Sequence, residues 1–271
     1  MGMTRRTARQ QAAELTGLLG RLGLSTVASG EQLEGVALCR GEFWPARQRQ
    51  AHSLHEISYR ACFKPALPRF FIKALSQPGD VVGDPFMGRG TTLLEAALLG
   101  RHVVGNDINP LSPMLLAPRL APPDMSAVAE RLQQINWRSR AAMDDDLLHF
   151  YHPSTLRQLL ALQRHLRGRE LDMVDQWIRM VAISRLSGHS PGFFSVYTLP
   201  PNQALSAKAQ AKINHERGQV PSSRDVPDLI WRKSRQLTKD LAQHAMPAMQ
   251  SQLLVGSAQA MDCGEATLDL I

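Results

Sequence analysis

One acid, two glycines and two hydroxyl residues crowd one stretch of this chain, Asp84-Pro85-Phe86-Met87-Gly88-Arg89-Gly90-Thr91-Thr92. A turn of this make-up brings backbone against a small polar ligand, because Gly88 and Gly90 put no Cβ in the way. Thr91 or Thr92 is placed to cap a following helix, whose first amides then face an anionic group. Asp107 lies 23 positions after Asp84, near the spacing of about 20 at which a carboxylate reaches ribose hydroxyls.

Three chemistries compete for this pattern. A P-loop shares the gap between Gly83 and Gly88, but Arg89-Gly90 stands where Lys and Ser/Thr are required, so the β/γ-phosphate contact is lost. A dinucleotide site matches Gly88 and Gly90 but has Leu93 where a third glycine lets helix and strand pack closely. An S-adenosylmethionine site needs the two glycines, the helix amides for its carboxylate, and an acid for its ribose.

The surrounding elements must position these residues. Residues 80–83 read as a strand and 91–99 as an apolar helix stopped by Gly100. The β-branched run 102–105 reads as a second strand. Strand, glycine turn, helix, strand is a βαβ unit with parallel strands and a right-handed crossover. Upstream, residues 7–22 carry helical apolar spacing, 30–50 look irregular, and 68–75 form a short helix with Pro68 in its first turn. Downstream, residues 110–123 hold five prolines and read as a loop. Three helices are expected over 127–188. Ser154 would cap one of them. Another, over 170–186, would point Met173, Trp177, Met180 and Val181 inward and stop at Gly188. Residues 191–227 read as a long loop with a short basic helix inside, and 228–246 as helix. Residues 252–255 read as a strand, and 268–271 begin another apolar run. The expected fold class is α/β, an incomplete Rossmann-like parallel sheet with a large helical insertion. The expected divisions are 1–50, 51–126, 127–250 and 251–271.

The nine-residue stretch resembles the Asp-Pro-Phe-x-Gly-x-Gly-Thr-Thr signature of DNA amino-methyltransferases, which methylate adenine N6 or cytosine N4. Gly105-Asn106-Asp107-Ile108-Asn109-Pro110 is similar to that family's second-strand segment. Phe63-Lys64-Pro65-Ala66-Leu67 is similar to its Lys-Pro-x-x-Leu element, with Leu67 one position early. The resemblance implies S-adenosylmethionine as cofactor, held by Lys64, Pro65, Asp84, Pro85, Phe86, Gly88, Gly90, Thr91, Thr92, Asp107 and Asn109.

Methylating an exocyclic amine also requires a flipped base whose lone pair is aimed at the methyl group. The resemblance implies an Asp/Asn/Ser-Pro-Pro-aromatic element for that task. The two Pro-Pro pairs, Ala121-Pro122-Pro123-Asp124 and Leu199-Pro200-Pro201-Asn202, lack both the acceptor and the ring. The catalytic residues are therefore unassigned. Residues 253–258 resemble the strand before an adenine-contacting position, with Ser257 where Asp is usual. Asp269-Leu270-Ile271 resembles the strand leading into the catalytic element. The expectation is the cofactor-binding portion of a DNA methyltransferase, truncated or half of a split enzyme, with a second polypeptide carrying the catalytic motif. The rival expectations are a non-catalytic nucleic-acid-binding subunit and a methyltransferase acting on RNA or a small molecule.

Composition is that of an ordinary globular protein: 44% hydrophobic and 20% charged over 271 residues. A net charge of +7 suits a polyanionic partner such as DNA. Lys208, Lys212, Arg217, Arg224, Arg232, Lys233 and Arg235 concentrate it late in the chain. No apolar run is long enough to cross a membrane. Cys39, Cys62 and Cys263 are scattered without metal-ligand or disulfide spacing, which fits a reducing cytoplasm.

Overall fold

A computed structural model describes Gly17 and residues 51–59, 62–199, 205–265 and 267–271. The expected helix over 7–22, apart from Gly17, and the irregular stretch 30–50 lie outside the described residues. The chain divides into two compact units. One comprises Phe63–Ile108 and Pro247–Ile271, and the other comprises His52–Cys62 and Asn109–Met246.

The first unit contains helix α1 (Ala66–Leu75), strand β1 (Val81–Asp84), helix α2 (Thr91–Leu98), strand β2 (His102–Asp107) and strand β3 (Ser251–Val255). The three strands are parallel in the order β1-β2-β3. Val82 pairs with Val103, and Val104 with Gln252. On the opposite side of β1, Leu270 forms a parallel bridge to Val82, and Gly83 N–H donates to Leu270 O at 2.7 Å. The expected α/β class and parallel sheet are therefore present.

Helix α2 buries Leu93, Leu94, Ala96 and Ala97 completely. Its run of alanine and leucine has high helix propensity, and its one acid, Glu95, is buried and paired with Arg69 at 2.9 Å. It ends in a Schellman motif: Gly100 at φ 77° donates to Ala97 O, and Arg101 N–H donates to Ala96 O. Arg101 is only 5% exposed and ties this end to α1, donating to Ser76 Oγ, Ser76 O and Leu99 O.

Leu93, which breaks the dinucleotide pattern, has a structural counterpart. A Cβ on Gly105 would lie 2.6 Å from Met87 Sδ and closer still to Leu93 Cδ1. The glycine that permits close helix–strand packing sits on β2 here, and the helix contributes the bulk.

The second unit is helical: α3 (Leu111–Leu120), α4 (Met125–Gln134), α5 (Asp145–Leu148), α6 (Pro153–Leu166), α7 (Met173–Ile183), α8 (Ala207–Glu216) and α9 (Val226–Thr238). Its centre holds Leu54, Leu115, Leu116, Leu156, Trp177, Ile178, Met180, Phe194 and Ile230. Trp177 Nε1 donates to Ser234 Oγ at 2.9 Å, pinning α7 to α9. Side chains of Asp124, Asp144, Asp172, Ser206 and Asp225 cap helices.

Several expectations change. Residues 111–120 form α3 instead of a loop. Pro113 falls in the first turn, where no intrahelical N–H is needed, and buried Leu115, Leu116 and Leu120 hold the helix despite Pro118. The cap of α6 is His152, whose Nδ1 accepts from Ser154 N–H; Ser154 itself lies inside the helix behind Pro153. Met173 is 56% exposed, because α7 starts there and its first residue faces solvent. Helix α7 ends at Ile183 and leaves Gly188 to pair with Tyr197.

Candidate functional site

The site is built where β1 and β2 deliver their carboxyl ends. Asp84 closes β1, and its Oδ1 accepts the Phe86 N–H at 3.0 Å, which starts the turn. Burial raises the Asp84 carboxyl above its ordinary value, with bonds from the Thr92 hydroxyl and the Phe86 amide opposing. Gly88 and Gly90 both have positive φ, at 50° and 79°. A side chain is strained at either position, so the turn depends on glycine for its backbone path.

Two backbone N–H groups of the turn fasten it to β2. Met87 N–H donates to Asn106 O at 2.9 Å, and Gly88 N–H donates to Asp107 Oδ2 at 2.7 Å. The expected ribose carboxylate thus stands directly beside the glycine turn. Asn106 is 1% exposed and reaches both ways, donating to Gly256 O at 2.9 Å and to Pro85 O at 3.4 Å. It positions the turn and the segment after β3 together. Sequence reading passed over Asn106; a polar residue inside an otherwise apolar strand was the available signal.

The threonines do not cap α2. Its N-cap is Gly90, with no side-chain cap bond. Thr91, 4% exposed, accepts from Arg89 Nε at 3.1 Å, and Thr92 braces Asp84. Left-handed Gly90 starts the helix one residue before Thr91, which puts both hydroxyls beyond the capping position. Phe86 and Ile108 are 77% and 80% exposed, large apolar groups beside Asp84 and Asp107 in the chain. Ile108 is a second residue that sequence reading did not single out.

Lys64 and Pro65 lead into α1: Lys64 O accepts from Leu67 N–H and Pro65 O from Arg69 N–H. Ser257 is exposed and its Oγ accepts from Gln259 N–H in a turn after β3. In the second unit, Asn109 accepts the Leu111 N–H through Oδ1 at 3.0 Å and opens α3. Pro122-Pro123 follows α3, and Pro200-Pro201 lies outside the described residues. Among the described residues no His, Cys, Asp and Glu side chains group as a metal site, and no helix is long and apolar enough to cross a membrane.

A glycine turn between parallel strands, a helix N-terminus behind it and an acid at the end of the next strand stand together at the carboxyl ends of the strands, where open α/β sheets take their ligands. Residues 27–111 match the family model N6_N4_Mtase, described as DNA methylase. Over 86 residues the chain is 33% identical to the type II methyltransferase M.MjaII of Methanocaldococcus jannaschii, covering 32% of this chain and 16% of that protein. Over 85 residues it is 34% identical to the type II methyltransferase M.MvaI of Kocuria varians, covering 30% of this chain and 19% of that protein. No solved structure matches the chain.

Proposed function

We propose that this chain carries the S-adenosylmethionine-binding segment of a DNA methyltransferase acting on an exocyclic amino group of adenine or cytosine. The observation that carries the reading is the Gly88 N–H to Asp107 Oδ2 bond, which sets a glycine turn and a carboxylate side by side at the ends of two parallel strands. The residues fit the cofactor chemically. The first amides of α2 suit its carboxylate, a contact favoured by roughly 0.3–1 kcal/mol from the helix dipole alone. Asp107 suits ribose hydroxyls, and exposed Phe86 and Ile108 offer apolar surface to an adenine ring. Bound there, S-adenosylmethionine supplies an electrophilic methyl group on sulfur.

The chain's own residues do the holding. Asp84 fixes the turn through Phe86 and Thr92, and Asn106 fixes it from behind. Neither Pro-Pro pair offers an acceptor and a ring for orienting a base amine. These 271 residues alone are therefore expected to give no methyl transfer to duplex DNA.

Calorimetry with S-adenosylmethionine tests the reading. Wild type should bind, and Asp107→Ala should bind at least tenfold more weakly, about 1.4 kcal/mol. Absence of binding by wild type overturns it. Binding of DNA without binding of the cofactor would favour a non-catalytic nucleic-acid-binding subunit.

A further inference from the structure

The segment between α7 and α8 ends at a ring that is held with unusual care. Tyr197 forms a parallel bridge to Gly188, whose O accepts the Thr198 N–H at 3.1 Å. Three amide side chains then clasp Tyr197 to α8. Gln210 Nε2 and Gln219 Nε2 donate to Tyr197 O at 3.0 and 2.9 Å, and both also donate to Asn214 Oδ1, at 2.7 and 2.8 Å. Asn214 Nδ2 donates in turn to His149 O at 2.8 Å. Gln210 is fully buried and its Oε1 has no hydrogen-bond partner, so the clasp carries an unrecovered desolvation cost.

Arg217 uses the ring that this clasp fixes. Its guanidinium carbon lies 3.9 Å from the centroid of the Tyr197 ring. Arg217 is the C-cap of α8, and Gly218 at φ 56° turns the chain after it. His215, Glu216, Arg217 and Gly218 are all exposed, and Val220 is 82% exposed, so the turn stands open to solvent. The neighbouring acid, Glu216, lies 3.7 Å from Lys212. Among the described residues, no acceptor or carboxylate takes up the side-chain donors of Arg217. A helix C-terminus asks only for a cation, which a flexible lysine supplies equally well. Stacking on a fixed ring does more: it sets the plane of the guanidinium and occupies a face, leaving the N–H groups at the edge as donors. Residues 205–224 carry Lys208, Lys212, Arg217 and Arg224 against Glu216 alone, a setting that suits a polyanion.

We propose that Arg217, held flat on Tyr197, reads a guanine in the major groove of duplex DNA. The duplex as partner rests on the methyltransferase reading. Guanine presents O6 and N7 as neighbouring acceptors, which match two N–H donors of one guanidinium. A phosphate also accepts such a fork, but a phosphate contact needs charge more than one fixed plane, and a mobile side chain serves it. Tyr197 is a positioning residue that acts through Arg217. Exposed Lys208 and Lys212 supply charge for backbone phosphates without a fixed geometry.

Selection of duplexes from a randomised pool by the full chain, followed by fluorescence anisotropy on the selected duplex, tests the contact. Wild type should select guanine at one or more positions, and at one of them exchange for adenine should weaken binding at least about fivefold. Arg217→Lys keeps the charge and loses the fork. It should bind unselected duplex within about twofold of wild type and lose the preference at that one position. Tyr197→Leu should lose the same preference, and Tyr197→Phe, which keeps the ring, should retain it. Lys212→Gln should weaken every duplex alike. Wild-type preference at every position in R217K overturns the base contact, as does a wild type that selects no guanine. Weaker binding of every duplex by Arg217→Gln with all preferences intact assigns the arginine to a phosphate and overturns it too. S-adenosylmethionine affinity should be unchanged in all these variants. A wild type that binds no cofactor, with a guanine preference lost in R217K, leaves the contact standing and removes the methyltransferase reading. A wild type that binds the cofactor and no duplex removes the contact alone.

Discussion

Gly105 shows how much one hydrogen atom decides. Its Cα lies where any Cβ would strike Met87 Sδ and Leu93 Cδ1, both in the layer that supports the glycine turn. Gly105→Ala should therefore destabilise the protein by about 1–3 kcal/mol through overpacking, read as a lower urea midpoint at unchanged slope. Lys233 makes a second case at this scale. Burial, and after it the Arg185 charge, lowers its ammonium from an ordinary 10.5 to about 8, with Glu56 opposing. Between those values the unfolded chain binds the proton more readily than the folded one. The Lys233 contribution to stability should therefore rise as pH climbs from about 8 to 10.5. Chemical denaturation across that range should show wild type gaining on Lys233→Met, and a flat difference would refute the burial argument.

At the scale of elements, caps decide boundaries that periodicity leaves open. Asp172 caps α7 by accepting the Asp175 N–H at 2.9 Å and also receives both Arg131 amino groups. Arg131 and the capping amides hold its carboxyl down to about 2. Its contribution is present above the ordinary carboxylate range and is lost as pH falls towards 2. Because its side chain is 55% exposed, the ion pair adds little, and Asp172→Ala should cost about 1 kcal/mol at pH 7, mostly from the cap. Thermal melts at pH 7 and at pH 2–3 should show the wild-type advantage shrinking in acid. Helix α3 teaches the converse. Five prolines over 110–123 look like a loop, yet two of them, Pro110 and Pro113, sit where a helix begins and two, Pro122 and Pro123, where it has ended. Proline counts mislead when the positions along the helix are unknown, because only an interior proline costs a hydrogen bond.

Over the whole molecule, the proposed cofactor site lies within the first unit, and hydrogen exchange can address the two units separately. On the proposed reading, S-adenosylmethionine should slow exchange at the backbone amides of Gly88, Gly90, Thr91 and Thr92 in the first unit. Protection of the second unit by the cofactor alone would contradict this assignment. On the proposed reading, the net charge of +7 would add a salt-dependent attraction for DNA, which fades over a Debye length of about 8 Å at physiological ionic strength.

The sequence by itself determined the βαβ unit, the parallel pairing of its strands and the glycine turn with Asp107. Those are local: alternation of apolar runs with a Gly-rich turn leaves a strand and a helix few other ways to meet. The tertiary structure alone decided which polar residues were turned inward. It separated Lys233 from neighbouring Arg232, paired Asn106 with Gly256 at a distance of 150 residues, and set Leu93 against Gly105. Adjacent residues on a helix differ by 100° in direction, so their fates depend on which neighbours the rest of the chain supplies. It also gave Arg185, a residue with no motif around it, a buried Nε and an aromatic face. Burial is a property of packed surfaces, and no one-dimensional pattern contains it.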